Sequence, residues 1–168
     1  MAEQVCRFHG VQVRWTSTAQ DALTSAAEGK DMIFAGDGLG GFIVPEFTAG
    51  IDGLAAFMRL LGLVARTRLS LSQIDARIPE AKLLKRTVPT PWSAKGAVMR
   101  EVIEAAEAEG HRVDTTDGVR VAAQDGSWVL ILPAATDPVT ALWAEAQDVD
   151  SAQALLERWA RIVEQAAT

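Results

Sequence analysis

The hydrophobic pattern changes after Pro79, and this change constrains the fold more than any other feature of the 168-residue sequence. Before it, the patterns predict the order helix, strand, helix, strand, loop and helix. After it, they predict strand, helix, three strands and helix. We therefore predict a first region over residues 1–68, a connector over 69–79 and a second region over 80–168.

The first region has too few strands for a complete sheet. Alternating apolar residues predict a strand at Val11–Trp15, and the apolar run Met32–Ala35 predicts another. Asp52 is the expected N-cap of a helix with one apolar face, made of Leu54, Phe57, Met58, Leu61, Val64 and Ala65. The order suits a parallel α/β layer, but a parallel sheet needs covered faces and neighbouring strands. We expect this half-layer to have an open edge or a missing partner.

The second region carries a strong hairpin signal. The dipeptide Asp125-Gly126 separates two strand patterns, Val119–Ala123 and Trp128–Leu132. Further strands are predicted around Leu83–Val88 and at Ala141–Ala146, which makes an antiparallel sheet with helices on one face. This α+β region is expected to fold by itself.

Four side chains of the second region have specific expected roles. Ser93 and Asp150 are the expected N-caps of its two helices. Trp143 and Trp159 are expected to pack in its core.

Composition excludes several classes of function. The net charge of −6 argues against non-specific nucleic-acid binding, which needs dense Lys and Arg. No apolar stretch approaches the roughly 20 residues needed to span a bilayer. A single cysteine, Cys6, and two histidines supply neither a disulfide nor a zinc cluster. We expect a cytoplasmic protein that binds no nucleic acid and no membrane, with no metal site in this chain.

A glycine-rich segment follows the strand pattern at Met32–Ala35. Gly36, Gly38 and Gly41 satisfy the spacing of a dinucleotide-binding loop, but an extended run, Phe42–Pro45, follows where such a loop needs a helix. The glycines instead predict a tight loop in which the backbone approaches another group closely. Asp37 is the only side chain there that can bind a hydroxyl group.

Taken in order, several segments resemble the α-D-phosphohexomutase family of phosphomannomutases and phosphoglucomutases. The segments that carry the resemblance are 34–47, 52–56, 91–100, 114–121 and 132–138. The resemblance covers nearly all of this chain but under half of a full mutase. It implies that residues 1–68 are the end of the family's third domain and residues 80–168 its fourth, carboxy-terminal domain.

The two binding loops implied by this resemblance are both altered. The family's sugar loop reads Gly-Glu-x-Ser-Gly-His, and its Glu and Ser contact sugar hydroxyls. The corresponding candidates here are Gly36, Asp37, Gly40 and Gly41, with Leu39 in place of the serine. The acid is therefore shortened to aspartate, and the histidine has become a glycine.

The family's phosphate loop reads Arg-x-Ser-Gly-Thr-Glu-Pro. In this sequence Leu132 replaces the arginine, and Ala134 and Ala135 replace the serine and the glycine. Thr136 and Asp137 remain as phosphate-loop candidates. A phosphate dianion needs guanidinium, hydroxyl or amide donors, so this loop is predicted to bind phosphate poorly.

Basic residues near the second region leave two alternatives open. They form either an edge that binds a sugar phosphate or an ordinary solvated face, and they are Lys82, Lys85, Arg86, Lys95 and Arg100.

The family's phosphoserine and metal loops belong to earlier domains, so we expect no catalytic residue and no cofactor in this chain. Mg²⁺ is expected only in upstream domains of the same parent protein, which are the expected partners, with hexose phosphate as a possible ligand. The predicted function is a degenerate, non-catalytic mutase-like module in sugar-phosphate or nucleotide-sugar metabolism. The alternatives are a fragment of an active mutase that interconverts hexose 1- and 6-phosphates, or an interaction scaffold.

A second resemblance concerns the parent protein. Altered mutase-like regions of this kind resemble the tails of fusion proteins that begin with a mannose-1-phosphate guanylyltransferase. This implies a parent that makes a nucleotide sugar such as GDP-mannose.

Overall fold

The structure is a computed structural model that describes residues 2–17, 19–38, 40–78 and 82–168. The chain forms two compact units, Met1–Pro79 and Glu80–Thr168, which we call the first and second units.

The first unit is mainly helical. Its helices and strands are α1 (Ala2–Phe8), α2 (Gln20–Ala27), β1 (Ala35–Gly36), β2 (Phe42–Ile43), α3 (Gly53–Thr67) and α4 (Leu71–Asp75). The predicted cap of α3 is confirmed, because Asp52 Oδ1 accepts the amides of Leu54 at 2.9 Å and Ala55 at 3.0 Å. Ser70 and Gln73 form a reciprocal capping box at the start of α4.

The strands of the first unit differ from the predicted arrangement. β1 and β2 pair antiparallel, with Ala35 opposite Ile43, where the sequence predicts a parallel layer. A loop this short can only return the chain antiparallel, because parallel pairing requires a crossover of a dozen or more residues. The strand predicted at Val11–Trp15 is wrong. Val11 donates instead to the carbonyl of Cys6 at 2.8 Å, and no neighbouring strand is available to this segment in the described part of the unit.

The core of the first unit is small. It consists of Leu23, Ala27 and Ile43, with Ala35 packed against them. The apolar stripe predicted for α3 is present, but most of it faces solvent, since Leu54 is 71% exposed. The first unit therefore leaves much of its apolar surface uncovered.

The second unit is an antiparallel sheet with two long helices. Its elements are β3 (Lys82–Pro89), α5 (Lys95–Ala108), β4 (Arg112–Asp114), β5 (Val119–Ala122), β6 (Trp128–Pro133), β7 (Val139–Ala146) and α6 (Val149–Ala166). The strands lie in the order β3-β7-β6-β5-β4. The predicted hairpin is confirmed: β5 pairs with β6, and Gly126 takes a φ of +89° in the turn. The three-residue strand β4 is an addition to the predicted set.

The helices α5 and α6 pack on one face of this sheet, as predicted. Val98, Leu156 and Trp159 join residues of the central strands in one buried cluster, and Trp159 is 1% exposed. The prediction that Trp143 also packs in this core is wrong. It lies on the opposite face of β7, where the ammonium of Lys85 lies 5.0 Å from its ring centroid.

Both helix starts in the second unit differ from the predictions. Asp148, not Asp150, caps α6, and its Oδ1 accepts the amide of Ser151 at 2.7 Å. Its extended backbone suits an N-cap residue, whereas Asp150 already lies within the helix. Ser93 caps nothing, because it lies within a 3₁₀ turn, Trp92–Ala94, that leads directly into α5.

Among the helices that the structure describes, none combines the length and the hydropathy required to span a bilayer.

Candidate functional site

The glycine loop between β1 and β2 is closed by its own aspartate. The amide of Asp37 donates to the carbonyl of Gly41 at 3.0 Å, and the amide of Gly41 donates to Asp37 Oδ1 at 2.8 Å. The structure thus brings the sugar-loop candidates Gly36, Asp37, Gly40 and Gly41 into one turn. Part of the hydrogen-bonding capacity of the carboxylate is used within that turn, because one of its oxygens accepts a backbone amide.

The conformation and close packing of this loop require glycine at several of its positions. A Cβ at Gly36 would lie 2.8 Å from Phe42 Cδ1, and one at Gly41 would lie 2.7 Å from Asp37 Oδ2. Gly40 has a φ of +96°, which side-chain-bearing residues rarely adopt. The loop is followed by β2 and not by a helix, which agrees with the expectation that it is not a dinucleotide-binding loop. Leu39, which stands where the family has serine, lies outside the described residues.

The second candidate lies between β6 and β7, and we call residues 134–138 the β6–β7 loop. The amide of Ala134 donates to the carbonyl of Val139 at 2.9 Å and closes the loop at its base. The buried Thr90 anchors its far end, since its amide donates to the carbonyl of Pro138 at 2.7 Å. The phosphate-loop candidates are adjacent here, and the Thr136 hydroxyl donates to Asp137 Oδ2 at 2.9 Å.

A lysine that the sequence did not assign to this loop lies against it. Lys95, the first residue of α5, donates from Nζ to the carbonyls of Ala134 at 2.5 Å and Asp137 at 2.6 Å. The same ammonium lies 3.5 Å from the centroid of the Trp92 ring. No local pattern could have indicated this contact, because Lys95 and the loop are separated by 39 and 42 residues.

The β6–β7 loop offers few groups to an anion. Leu132, Ala134 and Ala135 carry no donor in their side chains. The Thr136 hydroxyl is directed to a carboxylate, and Asp137 adds negative charge. The amides of residues 135–137 donate to no backbone carbonyl in the described ranges, so they are the donors that remain for a ligand.

The predicted group of basic residues does not form one edge. Lys85 lies over Trp143 on the outer face of the sheet, while Arg86 pairs with Glu164 of α6 at 2.5 Å. Adjacent residues of a strand point to opposite faces, which separates these two charges. Lys95 is separated from both, because its ammonium donates to the β6–β7 loop. This separation favours the second alternative, an ordinary solvated face.

Carboxyl groups with shifted pKa values lie in turns and at helix ends of the second unit. The amide and hydroxyl of Ser151 lower the pKa of Asp148, and the hydroxyl and amide of Ser127 lower the pKa of Asp125. The pKa of Glu109 is lowered first by its hydrogen bond with Arg158. The hydrogen bonds that cause these shifts belong to local turns and helix ends. Over the described parts of the chain, no three His, Cys, Asp or Glu side chains are grouped so that they could hold a metal ion.

Comparison with known proteins identifies relatives over nearly the whole chain, although no family model matches it. The chain is 26% identical over 166 residues to a phosphoglucomutase/phosphomannomutase of Thermococcus kodakarensis, covering 99% of this chain and 36% of that protein. It is 30% identical over 161 residues to a probable phosphoglucosamine mutase of Methanopyrus kandleri, covering 96% of this chain and 35% of that protein.

The fold agrees with this relationship. A crystal structure of a phosphoglucomutase/phosphomannomutase family protein from Burkholderia thailandensis matches with a TM-score of 0.79 at 21% identity. The match covers 98% of this chain and 35% of that structure, so the chain spans about a third of the length of its relatives. The predicted resemblance to the phosphohexomutase family is confirmed over nearly the whole chain, and so is the α+β class of the second unit, whereas the parallel layer predicted for the first unit is not found.

Proposed function

We propose that this chain is a non-catalytic phosphohexomutase-like module of a protein of sugar-phosphate or nucleotide-sugar metabolism. One observation carries the proposal. The β6–β7 loop has hydrophobic side chains where the family resemblance implies phosphate ligands, and a cation in contact with it, Lys95, donates to the loop's own carbonyls.

The energetic consequence is large. Hydrogen bonds to charged groups contribute roughly 1.5–3 kcal/mol each. Since each 1.4 kcal/mol is a tenfold change in affinity, two or three lost ligands weaken phosphate binding by several orders of magnitude. The negative charge of Asp137 opposes an anion further. A hexose phosphate would therefore bind here weakly, through the three backbone amides of residues 135–137.

Phosphoryl transfer depends on positioned groups that neutralise the developing charge. We propose that the phosphoserine and the Mg²⁺ ligands of the parent lie in upstream domains, and that those domains are the partners of this module. The exposed apolar side chains of α3, such as Leu54 and Phe57, support this partnership because they form a surface that a neighbouring domain could cover. The proposed context is a cytoplasmic parent that makes a nucleotide sugar such as GDP-mannose.

Calorimetry with mannose 1-phosphate tests the loop directly. The wild-type chain is expected to give little or no heat, and a sub-micromolar dissociation constant would overturn the proposal. The variant Leu132→Arg/Ala134→Ser/Ala135→Gly restores the residues that the family loop contains, so it is expected to bind measurably. Leu130→Arg is the matched control, because it adds the same charge two residues away on the same face of β6.

The alternative of an active fragment is favoured by the extent of the similarity to named mutases. A chimera tests it. This chain replaces the matching third of the Thermococcus kodakarensis protein, and conversion between mannose 1- and 6-phosphate is measured with magnesium and a sugar bisphosphate activator. We expect no turnover above background. Activity comparable to that of the unaltered protein would establish the alternative.

A further inference from the structure

We propose that Lys95 is an internal cation that fixes the shape of the β6–β7 loop, so that the loop is ordered with no external ligand. The proposal goes beyond the proposed function, because it concerns what holds the loop and stands whether or not a hexose phosphate binds there.

Three groups surround the ammonium of Lys95. Lys95 Nζ donates to two carbonyl oxygens of the loop, those of Ala134 and Asp137, at 2.5 and 2.6 Å. The Trp92 ring covers a third side, with its centroid at 3.5 Å. An ammonium has three donors and no acceptor, so two carbonyls and an aromatic face together satisfy it.

These groups come from two different parts of the second unit. Trp92 and Lys95 lie on the turn that begins α5, whereas the two carbonyls belong to the connection between β6 and β7. The contact therefore ties two parts of the second unit that are distant in sequence. Thr90 makes a second tie to the same loop, through the carbonyl of Pro138.

The contact fixes the orientation of two carbonyl groups of the loop. Carbonyls that face inward onto an ammonium cannot face outward, and the charge of the lysine is directed to these inner dipoles. The lysine therefore acts as a positioning residue. Removing it leaves two loop carbonyls without their donor and is expected to loosen the loop while the sheet remains intact.

The test compares two lysines that each lie over a tryptophan. Lys95→Met removes the ammonium that binds the loop, and Lys85→Met removes one that lies over Trp143 at 5.0 Å. In Lys95→Met the bonded amides of Ala134 and Thr90 are expected to exchange with deuterium at least about tenfold faster, and the amides of Val129 and Leu142 at the wild-type rate. Lys85→Met is expected to leave all four rates unchanged.

Chemical rescue separates the ammonium from simple packing. In Lys95→Ala, added n-propylammonium is expected to slow the exchange of the Ala134 and Thr90 amides again, while propan-1-ol, which lacks the charge, is not. Wild-type exchange rates in Lys95→Met, equal acceleration in Lys85→Met, or equal rescue by the alcohol would each overturn the proposal.

A measurement on the unaltered protein keeps the test decisive if the variants fail to fold. A caged ammonium exchanges its protons slowly, so ¹⁵N-detected spectra of the wild-type chain are expected to show a Lys95 Nζ signal that persists at a pH where the Lys85 signal has disappeared. Simultaneous loss of the two signals would contradict the cage.

Discussion

The two units are similar in length but bury very different cores. The second unit has a cluster of fourteen buried residues around Trp159, whereas the first has a cluster of three around Ile43. Of the nineteen large hydrophobic residues that are exposed in the described chain, sixteen lie in the first unit and three in the second. In the second unit the helices cover one face of a five-stranded sheet, whereas the first unit has only a two-stranded sheet to cover.

The helices α3 and α6 illustrate the comparison. Both carry an apolar stripe at helical spacing and both begin at an aspartate N-cap. The stripe of α6 buries five residues against the five-stranded sheet, whereas α3 buries only Ala55 and exposes Phe57. A helix is stabilised mainly by packing of its apolar face, so the same sequence signal has a different value in the two units.

The largest difference between the two units is expected when they are produced as separate fragments. Residues 80–168 are expected to fold alone and unfold cooperatively, because their core is complete. Residues 1–79 are expected to lack cooperative unfolding, because a connected buried cluster of only three residues cannot offset the conformational entropy of the unit. Circular dichroism with thermal unfolding measures both fragments. A sharp transition in the first fragment would show that its small core is sufficient.

A pair of aromatic truncations compares the cores within the intact chain. Trp159→Ala is expected to lower the free energy of unfolding by about 3–5 kcal/mol, since it removes a side chain that is 1% exposed. Phe57→Ala, at a half-exposed position of α3, is expected to change it by less than about 0.5 kcal/mol. Urea titration followed by fluorescence and circular dichroism measures both. Equal losses would mean that the α3 face is covered in solution.

Two glycines, one in each unit, differ in how closely other backbone atoms approach them. A Cβ at Gly118 would lie 2.3 Å from the carbonyl oxygen of Ile131, and its φ is +64°. Gly118→Ala is therefore expected to destabilise the second unit by roughly 1–3 kcal/mol. Gly38→Ala, where nothing lies within 4 Å of an added Cβ, is the control in the first unit and is expected to have little effect. Denaturant midpoints distinguish the two outcomes.

The smallest expected effect is a dependence on acid pH. The pKa of Asp148 is lowered in the folded protein, so its stabilising contribution is present above the ordinary value of 3.8 and is lost as the pH falls through the lowered folded value. Asparagine caps helices well and does not titrate. Asp148→Asn is therefore expected to keep the melting temperature at neutral pH and to reduce its fall in acid. An unchanged acid slope would assign the effect to other carboxyl groups.

Local signals predicted several features of both units correctly. The turn at Gly126, the α6 stripe around Trp159 and the cap at Asp52 each depend on neighbours within a few residues. The failures concern residues whose state depends on distant contacts. The prediction for Trp143 failed because the central strands β6 and β7 are apolar on both faces. Their pattern therefore does not show which face the helices cover.

The candidate loops divide in the same way. The departure from the family's phosphate loop at Leu132 and Ala134 follows from the sequence and the family resemblance, and the cluster of glycines beside Asp37 is visible in the sequence directly. The internal use of Asp37 by Gly41, and of Lys95 by the β6–β7 loop, is visible only in the structure.

Residue identity and short-range periodicity alone indicate the family resemblance, the two long helices and the hairpin of the second unit, and the departures of its loops from the family pattern. The three-dimensional structure is needed to see which apolar faces are covered and which charged groups already have hydrogen-bond partners. Both depend on groups brought together by chain reversals many residues apart, and short-range pattern carries no information about those distances.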